Sequence, residues 1–237
     1  MTAEKGSLYL IPCTLGDVEP LEVLPLSIKK TIENIDHYIV ENEKEARRFI
    51  KRFVPEKTQS LLKIQETNKF TAPEEIPTML NPCLEGFDVG VISDAGCPGI
   101  ADPGAKVVHH AHKKGIKVIP LVGPSSILLA MMASGFNGQN FTFNGYLPID
   151  KGERKTEIKR LEKLSKDFGQ SQLFIETPYR NNQMLQSLTE TLNNQTKICV
   201  ACDITLSTEY IKTAPVELWK KIKVDLHKRP TLFIIQG

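Results

Sequence analysis

The segment VGVISDAGCPGIADPG (89–104) decides the fold class of this chain. Its first four residues form an apolar run typical of a buried strand, and three glycines and two prolines follow between Asp94 and Gly104. A helical pattern then covers 105–114, and a second apolar strand covers 117–121. A strand, a crossover helix and a second strand together indicate a parallel sheet.

The rest of the chain repeats this alternation of strands and helices. The apolar patterns predict further strands at 8–11, 38–40, 61–64, 141–146, 173–175, 197–203 and 231–235. They predict further helices at 21–35, 43–53, 77–84, 125–134, 154–168, 181–192 and 216–222. We therefore expect two consecutive α/β domains with mostly parallel sheets, an N-terminal domain over 1–121 and a C-terminal domain over 122–237.

Composition excludes several classes of protein. The chain has 237 residues and a formal net charge of only +2, so that a nucleic-acid partner would have to bind a local basic patch. No apolar run approaches the ~20 residues that span a bilayer, and residues 1–6 lack the apolar core of a signal peptide. The five cysteines do not suggest a disulfide framework. We expect a cytoplasmic protein with no membrane partner.

A metal site is not expected from the cysteines or the histidines. Cys199 and Cys202 form a CxxC within an apolar strand, and a strand directs residues three apart to opposite faces. His109, His110 and His112 share a helix without an acidic residue nearby in the sequence. Both groups are interpreted as structural.

Three loops follow predicted strands at the end where parallel sheets bind ligands. They cover 12–17, 94–104 and 122–126. The second is longer than the ~2–6 residues usual for a strand-to-helix connection, which favours a binding loop. Neither GxxxxGK[ST] nor GxGxxG occurs, so the sequence does not support a P-loop or an ordinary dinucleotide site.

Five blocks in this order resemble the tetrapyrrole methylase superfamily. They are LYLIPCTLGD (8–17), VISDAGCPGIADPG (91–104), VIPLVGPSSILLAMMASGF (118–136), FTFNGYLP (141–148) and LFIETPYR (173–180). The second block is highly specific, and the GPSS helix start in the third is moderately so. The blocks are most similar to the branch that methylates the cytidine 2'-oxygen of small-subunit ribosomal RNA.

The resemblance implies a homodimer that binds S-adenosylmethionine in a cleft between its two α/β domains. It also implies which positions contact the cofactor: Leu15 in the first loop; Asp94, Ala95, Gly96, Cys97, Pro98 and Ile100 in the second; Ser125 and Ser126 at a helix start; and Glu176, Thr177 and Thr231 in the second domain.

The chain departs from the branch at several positions, so the substrate stays open. Cys13 and Cys97 stand where the branch has threonine, and 202–206 lacks two of its basic residues. The branch also continues into a small helical domain, whereas this sequence ends at Gly237. The expected function is 2'-O-methylation of ribosomal RNA. The alternatives are methylation of a tetrapyrrole or another small molecule, and a non-catalytic RNA-binding relative.

Two further features of the sequence remain open. Removal of the proton from a ribose hydroxyl needs a base, for which Asp17, Asp94, Glu176 and Asp203 are candidates. Basic residues cluster in the predicted helices 43–53 and 154–168, either to bind an RNA backbone or as solvated helix faces. Arg180 could contact a phosphate or pair with an acid.

Overall fold

Five short strands in the first half of the chain form a parallel sheet in the computed structural model, which describes residues 4–68 and 70–237. Residues 1–3, part of the segment expected to lack a signal core, lie outside the described residues. The sheet has the order β3-β2-β4-β1-β5 and consists of β1 (Leu8–Ile11), β2 (His37–Val40), β3 (Lys63–Glu66), β4 (Val89–Ile92) and β5 (Val118–Pro120). Every neighbouring pair is parallel, as the sequence predicts.

The helices of the first half are α1 (Pro20–Val23), α2 (Leu26–Asn34), α3 (Glu43–Phe53), α4 (Asn81–Leu84) and α5 (Gly104–Lys113), with 3-10 turns at Gln59–Leu61 and Ile76–Leu80. The helix predicted over 21–35 is interrupted, because Leu24 precedes Pro25 and adopts an extended conformation. The helix predicted over 77–84 begins instead as a 3-10 turn, and Pro82 then opens α4.

The parallel sheet is buried on both faces. Ile11, Tyr38 and Ile92 pack with residues of α2 and α3 in one apolar cluster. Leu8, Ile39 and other strand residues pack with α5 in a second cluster. Burial on both sides explains why the inner strands β1 and β4 are continuous apolar runs, whereas the edge strand β3 carries Lys63 and Glu66.

The strands of the second half form a separate sheet of order β6-β7-β10-β8-β9. They are β6 (Phe141–Tyr146), β7 (Ser171–Ile175), β8 (Lys197–Cys202), β9 (Tyr210–Pro215) and β10 (Thr231–Gln236). The pair β6–β7 is parallel, and the pairs that involve β10 and β9 are antiparallel. The prediction of mostly parallel sheets is therefore right for the first half and wrong for the second.

The physical reason lies in the connection after β8. The segment 203–209 is too short to carry a crossover helix, so the chain returns beside β8 as an antiparallel strand. That strand, β9, was not predicted. It lies at the edge of the sheet, and its exposed Lys212 and Thr213 break the apolar pattern.

The helices of the second half are α6 (Ser126–Ser134), α7 (Lys151–Phe168), α8 (Asn181–Thr191) and α9 (Val216–Trp219), with a 3-10 turn at Pro178–Arg180. Asp150 caps the start of α7, and Gly169 ends it in the left-handed conformation. The chain divides into two compact units, Met1–Ser125 and Ser126–Gly237. The boundary predicted from the sequence was 121/122.

Within the described ranges, 4–68 and 70–237, no group of three or more histidine, cysteine, aspartate or glutamate side chains is arranged so that it could hold a metal ion. No helix in the same ranges has the length and the apolar character that crossing a membrane requires.

Candidate functional site

Three loops meet at the carboxyl edge of the parallel sheet. Strand β1 lies between β4 and β5, so the loops that follow these strands are neighbours. The backbone N–H of Cys13 donates a hydrogen bond of 3.0 Å to the carbonyl oxygen of Gly96. The Sγ atom of Cys97 donates to the carbonyl oxygen of Pro124 at 3.3 Å. These contacts hold the predicted loops 12–17, 94–104 and 122–126 together, and we call the three joined loops the loop junction.

Two glycines allow this close approach. Gly96 has a φ of +70°, and a Cβ atom there would lie 3.0 Å from Leu15 Cδ2 and 3.1 Å from the carbonyl oxygen of Pro124. A Cβ atom on Gly123 would lie 2.2 Å from Cβ of Pro12. The loop junction therefore requires residues without a side chain at both positions.

Two cysteines donate hydrogen bonds within the loop junction, at positions where the resemblance implies threonine. The buried Cys13 thiol donates to the carbonyl oxygen of Ser93 at 3.1 Å, and the Cys97 thiol donates to Pro124. Burial raises the pKa of Cys13 to about 12, so the group stays a neutral donor. The two thiols thus donate to these carbonyl groups as a threonine hydroxyl could, so the loops stay hydrogen-bonded at both positions.

Asp102 fixes the end of the long loop. Its carboxylate accepts hydrogen bonds from the backbone N–H of Gly99 at 2.8 and 2.9 Å and from that of Gly104 at 2.7 Å. Because α5 begins at Gly104, the carboxylate also satisfies an N–H group in its first turn. The acid therefore shapes the loop rather than facing a ligand.

Three of the predicted residues of the first unit, Leu15, Gly96 and Cys97, take part in the contacts between the loops. In the same long loop, Pro98 is buried and Ala95 is exposed. Ile100 is 56% exposed farther along the loop.

Ser125 and Ser126 directly follow Pro124, and Ser126 is the first residue of α6. Within the described part of the chain neither hydroxyl has a hydrogen-bond partner, so both can bind a ligand. The N–H groups of the first helical turn offer further donors to an anionic group.

The predicted residues of the second unit form their own group. The register of β7 with β10 pairs Ile175 with Leu232, which places Glu176 beside Thr231. The buried Glu176 carboxylate accepts from the Thr177 N–H at 2.6 Å and from Arg180 Nη2 at 2.7 Å. Arg180 is therefore paired with an acid, one of the two roles the sequence left open.

Asp94 differs from the other candidate bases. Asp17 pairs with Arg52, Glu176 with Arg180, and Asp203 with Arg229 at 2.8 Å. The Asp94 carboxylate forms no ion pair within residues 4–68 and 70–237. Desolvation, followed by the charges of Glu45 and Glu66, raises the pKa of Asp94. A free carboxylate of raised pKa is suited to accept a proton.

A cavity of about 510 Å³ opens beside the loop junction, within the first unit. It is lined by Cys13, Thr14, Leu15, Gly16, Asp17, Val18, Pro20, Glu45, Ala46, Arg48, Phe49, Arg52, Ile92, Ser93 and Asp94. The sequence predicted the two loops of this lining but not the role of α3. The basic pattern of α3 was the available signal, and it did not indicate which side chains face the loops.

The loop junction predicts a difference between two glycine variants. Gly96→Ala and Gly99→Ala both place an alanine at positive φ, but a Cβ on Gly99 has no atom within 4 Å. Both variants should therefore lose about 1 kcal/mol of folding stability, because alanine disfavours a positive φ. Gly96→Ala should in addition weaken S-adenosylmethionine binding at least fivefold by displacing Leu15 or Pro124. Isothermal titration calorimetry of both variants measures this, and equal affinities would show that the close approach at Gly96 does not shape the site.

The fold and the loop junction define an α/β protein that binds its ligand at the carboxyl edge of a parallel sheet. The profile of the family Tetrapyrrole (Corrin/Porphyrin) Methylases matches residues 8–218. The chain therefore belongs to the tetrapyrrole methylase family. The match confirms the predicted family and, with it, the predicted class of enzyme, a methyltransferase that uses S-adenosylmethionine.

Several similar proteins carry the name ribosomal RNA small subunit methyltransferase I. The protein of Vibrio cholerae is 28% identical over 210 residues, which cover 88% of this chain and 68% of that protein. The protein of Bacillus subtilis is 30% identical over 207 residues, which cover 87% and 66%. The chain thus spans about two thirds of the length of these relatives.

Solved structures of low sequence identity share the fold. The methyltransferase CobJ superposes with a TM-score of 0.66 at 15% identity, over 98% of this chain and 94% of its own. A conserved hypothetical protein of Aeropyrum pernix K1 gives a TM-score of 0.69 at 14% identity, over 99% and 85%. These likenesses confirm the predicted fold class.

Proposed function

We propose that this chain methylates a ribose 2'-hydroxyl in the RNA of the small ribosomal subunit, with S-adenosylmethionine as the donor. The observation that carries the proposal is the loop junction, where Gly96, Leu15 and Pro124 are in close contact. The names of the relatives from Vibrio cholerae and Bacillus subtilis support the choice of ribosomal RNA.

The loop junction and the start of α6 suit the polar end of the cofactor. The free hydroxyl groups of Ser125 and Ser126 and the first N–H groups of α6 would bind its carboxylate. The backbone around Gly96 would approach its ribose and amino groups, because no side chain intervenes. When bound, the cofactor supplies an electrophilic methyl group on a sulfonium sulfur. Glu176, Thr177 and Thr231 remain predicted contacts to the adenosine.

The proposal includes a homodimer in the cytoplasm. Leu128 and Met132 lie one turn apart on α6 and are 54% and 78% exposed. Apolar side chains exposed in a row favour association with another protein surface, and a second copy would cover them. Light scattering of the purified chain should give about twice the monomer mass, and a monomer mass at micromolar concentration would contradict this part of the proposal.

Methyl transfer from radiolabelled S-adenosylmethionine tests the acceptor. Small ribosomal subunits from a strain without the corresponding gene should take up label into RNA. The label should be recovered in an alkali-stable dinucleotide, because a 2'-O-methyl group blocks cleavage of the adjacent phosphodiester. Label in a tetrapyrrole fraction would favour the small-molecule alternative, and failure to bind the cofactor would favour the non-catalytic one.

A further inference from the structure

The cavity in the first unit shares only part of its lining with the predicted cofactor residues. Two of the predicted cofactor residues, Leu15 and Asp94, line it, whereas Gly96, Cys97 and Ser125 do not. The other walls come from α3 and from the end of the loop after β1. Methyl transfer is an in-line displacement, so the acceptor must lie directly beside the donor. A cavity that shares one wall with the cofactor loops meets this requirement.

The size and the lining of the cavity fit a nucleotide. Its volume of about 510 Å³ lies within the ~300–1,000 Å³ typical of small-ligand sites. Phe49 and Val18 provide apolar surface for a flat base, and Arg48 provides a cation for a phosphate. Asp94 provides a carboxylate for a sugar hydroxyl.

We propose that this cavity binds the acceptor ribonucleotide of the RNA strand, with Arg48 contacting a phosphate and Asp94 accepting the proton of the 2'-hydroxyl. This assignment rests on the proposed function, because it names the place where that reaction receives its substrate.

The two arginines of the cavity have different roles. Arg52 binds Asp17 and Glu19, and these ion pairs connect α3 to the segment after β1. Arg48 has a side chain that is 76% exposed and pairs with Glu45 of its own helix at 2.5 Å. An exposed pair of this kind contributes little to stability, so Arg48 can exchange Glu45 for a phosphate. Arg52 is held by two acids of another segment, whereas Arg48 pairs with one acid of its own helix and is the arginine more available to the substrate.

The surface of α3 continues the site beyond the cavity. Lys44, Arg48 and Lys51 follow at spacings of four and three residues, which place them on one helix face. Lys44 and Lys51 are exposed and form no ion pair within the described ranges. The neighbouring phosphates of an RNA strand would meet these cations, so that one nucleotide enters the cavity while the strand stays on the surface.

Methyl transfer at this site requires a single base, which takes one proton from the acceptor. The proton of the ribose 2'-hydroxyl passes to the Asp94 carboxylate as the oxygen–methyl bond forms. The methyl–sulfur bond breaks, its electron pair stays on sulfur, and the sulfonium charge is neutralised. The acid then returns the proton to water. Desolvation, followed by the charges of Glu45 and Glu66, holds the pKa of Asp94 above its usual value and makes it a stronger base.

Two matched arginine variants test the site. Arg48→Gln removes an exposed arginine that pairs with a glutamate three residues away, and Arg160→Gln removes the same kind of residue from α7, outside the cavity. Arg160 donates two hydrogen bonds to Glu157, at 2.8 and 2.6 Å, so we assign it to the solvated helix face that the sequence left as one alternative for this helix. Arg48→Gln should raise KM for RNA about tenfold and lower the slope of log KM against log salt by about one. The cofactor affinity should change less than twofold. Arg160→Gln should leave all three quantities unchanged.

The outcomes separate this inference from the function on which it rests. Equal KM values and equal salt slopes for the two variants, with an active wild-type enzyme, would overturn the assignment of the cavity. A wild-type protein that binds S-adenosylmethionine and methylates no RNA would overturn the proposed function instead. Thermal melting checks folding, and an unchanged melting temperature is expected because both arginines are exposed.

Discussion

Asp94→Asn is expected to lower kcat for methyl transfer by about 10²–10⁴-fold at saturating S-adenosylmethionine, because the acceptor hydroxyl loses its base. Asp94 lines the cavity and forms no ion pair within the described residues, unlike Asp17, Glu176 and Asp203. Steady-state kinetics at saturating cofactor and RNA measure the change. If Asp94 only binds the cofactor, Asp94→Asn raises KM for S-adenosylmethionine and leaves kcat at saturation unchanged, and the assignment as a base is wrong.

The dependence of the rate on pH provides an independent check of the same residue. The wild-type rate should fall on acidification through a pKa above the ordinary aspartate value of 3.8, because desolvation and nearby acids raise the pKa of Asp94. Asp94→Asn should remove this limb of the profile. A limb that persists in the variant would assign the titration to another group.

The raised pKa also determines how stability should respond to Asp94→Asn. The folded state binds the proton of the Asp94 carboxyl group more tightly than the unfolded state does. The stabilisation of the fold by this proton is therefore complete below pH 3.8 and is lost as pH rises through the raised pKa. At pH 7 the ionised carboxylate therefore disfavours folding. The variant should melt at the wild-type temperature or above it, which excludes unfolding as the cause of lost activity.

Gly123→Ala is expected to destabilise the first unit and to abolish cofactor binding. The added Cβ would lie 2.2 Å from Cβ of Pro12, and the proline ring is closed onto its own backbone and cannot rotate away. Overpacking of this kind costs about 3 kcal/mol, or roughly 6–12 °C in Tm at ~2–4 °C per kcal/mol. Calorimetric melting and titration with S-adenosylmethionine measure the two effects.

Gly138→Ala is the matched control for this variant. Gly138 has open space around the position of a Cβ and no positive φ, so its Tm should stay within about 1 °C of wild type. If both variants melt alike, the loops after β1 and β5 do not touch as described. If Gly123→Ala has a lower Tm than the wild type but binds the cofactor with full affinity, the loop junction supports the fold and does not bind the cofactor.

The sequence could predict the parallel unit because strands such as β1 and β4 are continuous apolar runs, although the edge strand β3 contains Lys63 and Glu66. Predicted loops at 12–17, 94–104 and 122–126 follow directly from the carboxyl ends of such strands, and the helix over Glu43–Phe53 has the predicted bounds. Local residue chemistry specifies both features. Glycines mark the close approaches, and an asparagine cap with first-turn acids marks the start of α3.

Other features depend on strand order, which local patterns do not contain. The cavity combines residues near 13–18, 45–52 and 92–94. They meet because the sheet places β2, which precedes α3, next to β4, and β4 next to β1. The antiparallel pairing of the second sheet likewise depends on a short return after β8 and on an edge strand of mixed polarity.

Hydrogen–deuterium exchange of the full chain, with and without saturating S-adenosylmethionine, tests most directly whether the loop junction holds the cofactor. Exchange should slow at the backbone amides of 12–17, 94–104 and 123–126, where the three loops contact one another. Unchanged exchange in all three loops at saturation, or protection confined to other segments, would contradict the account.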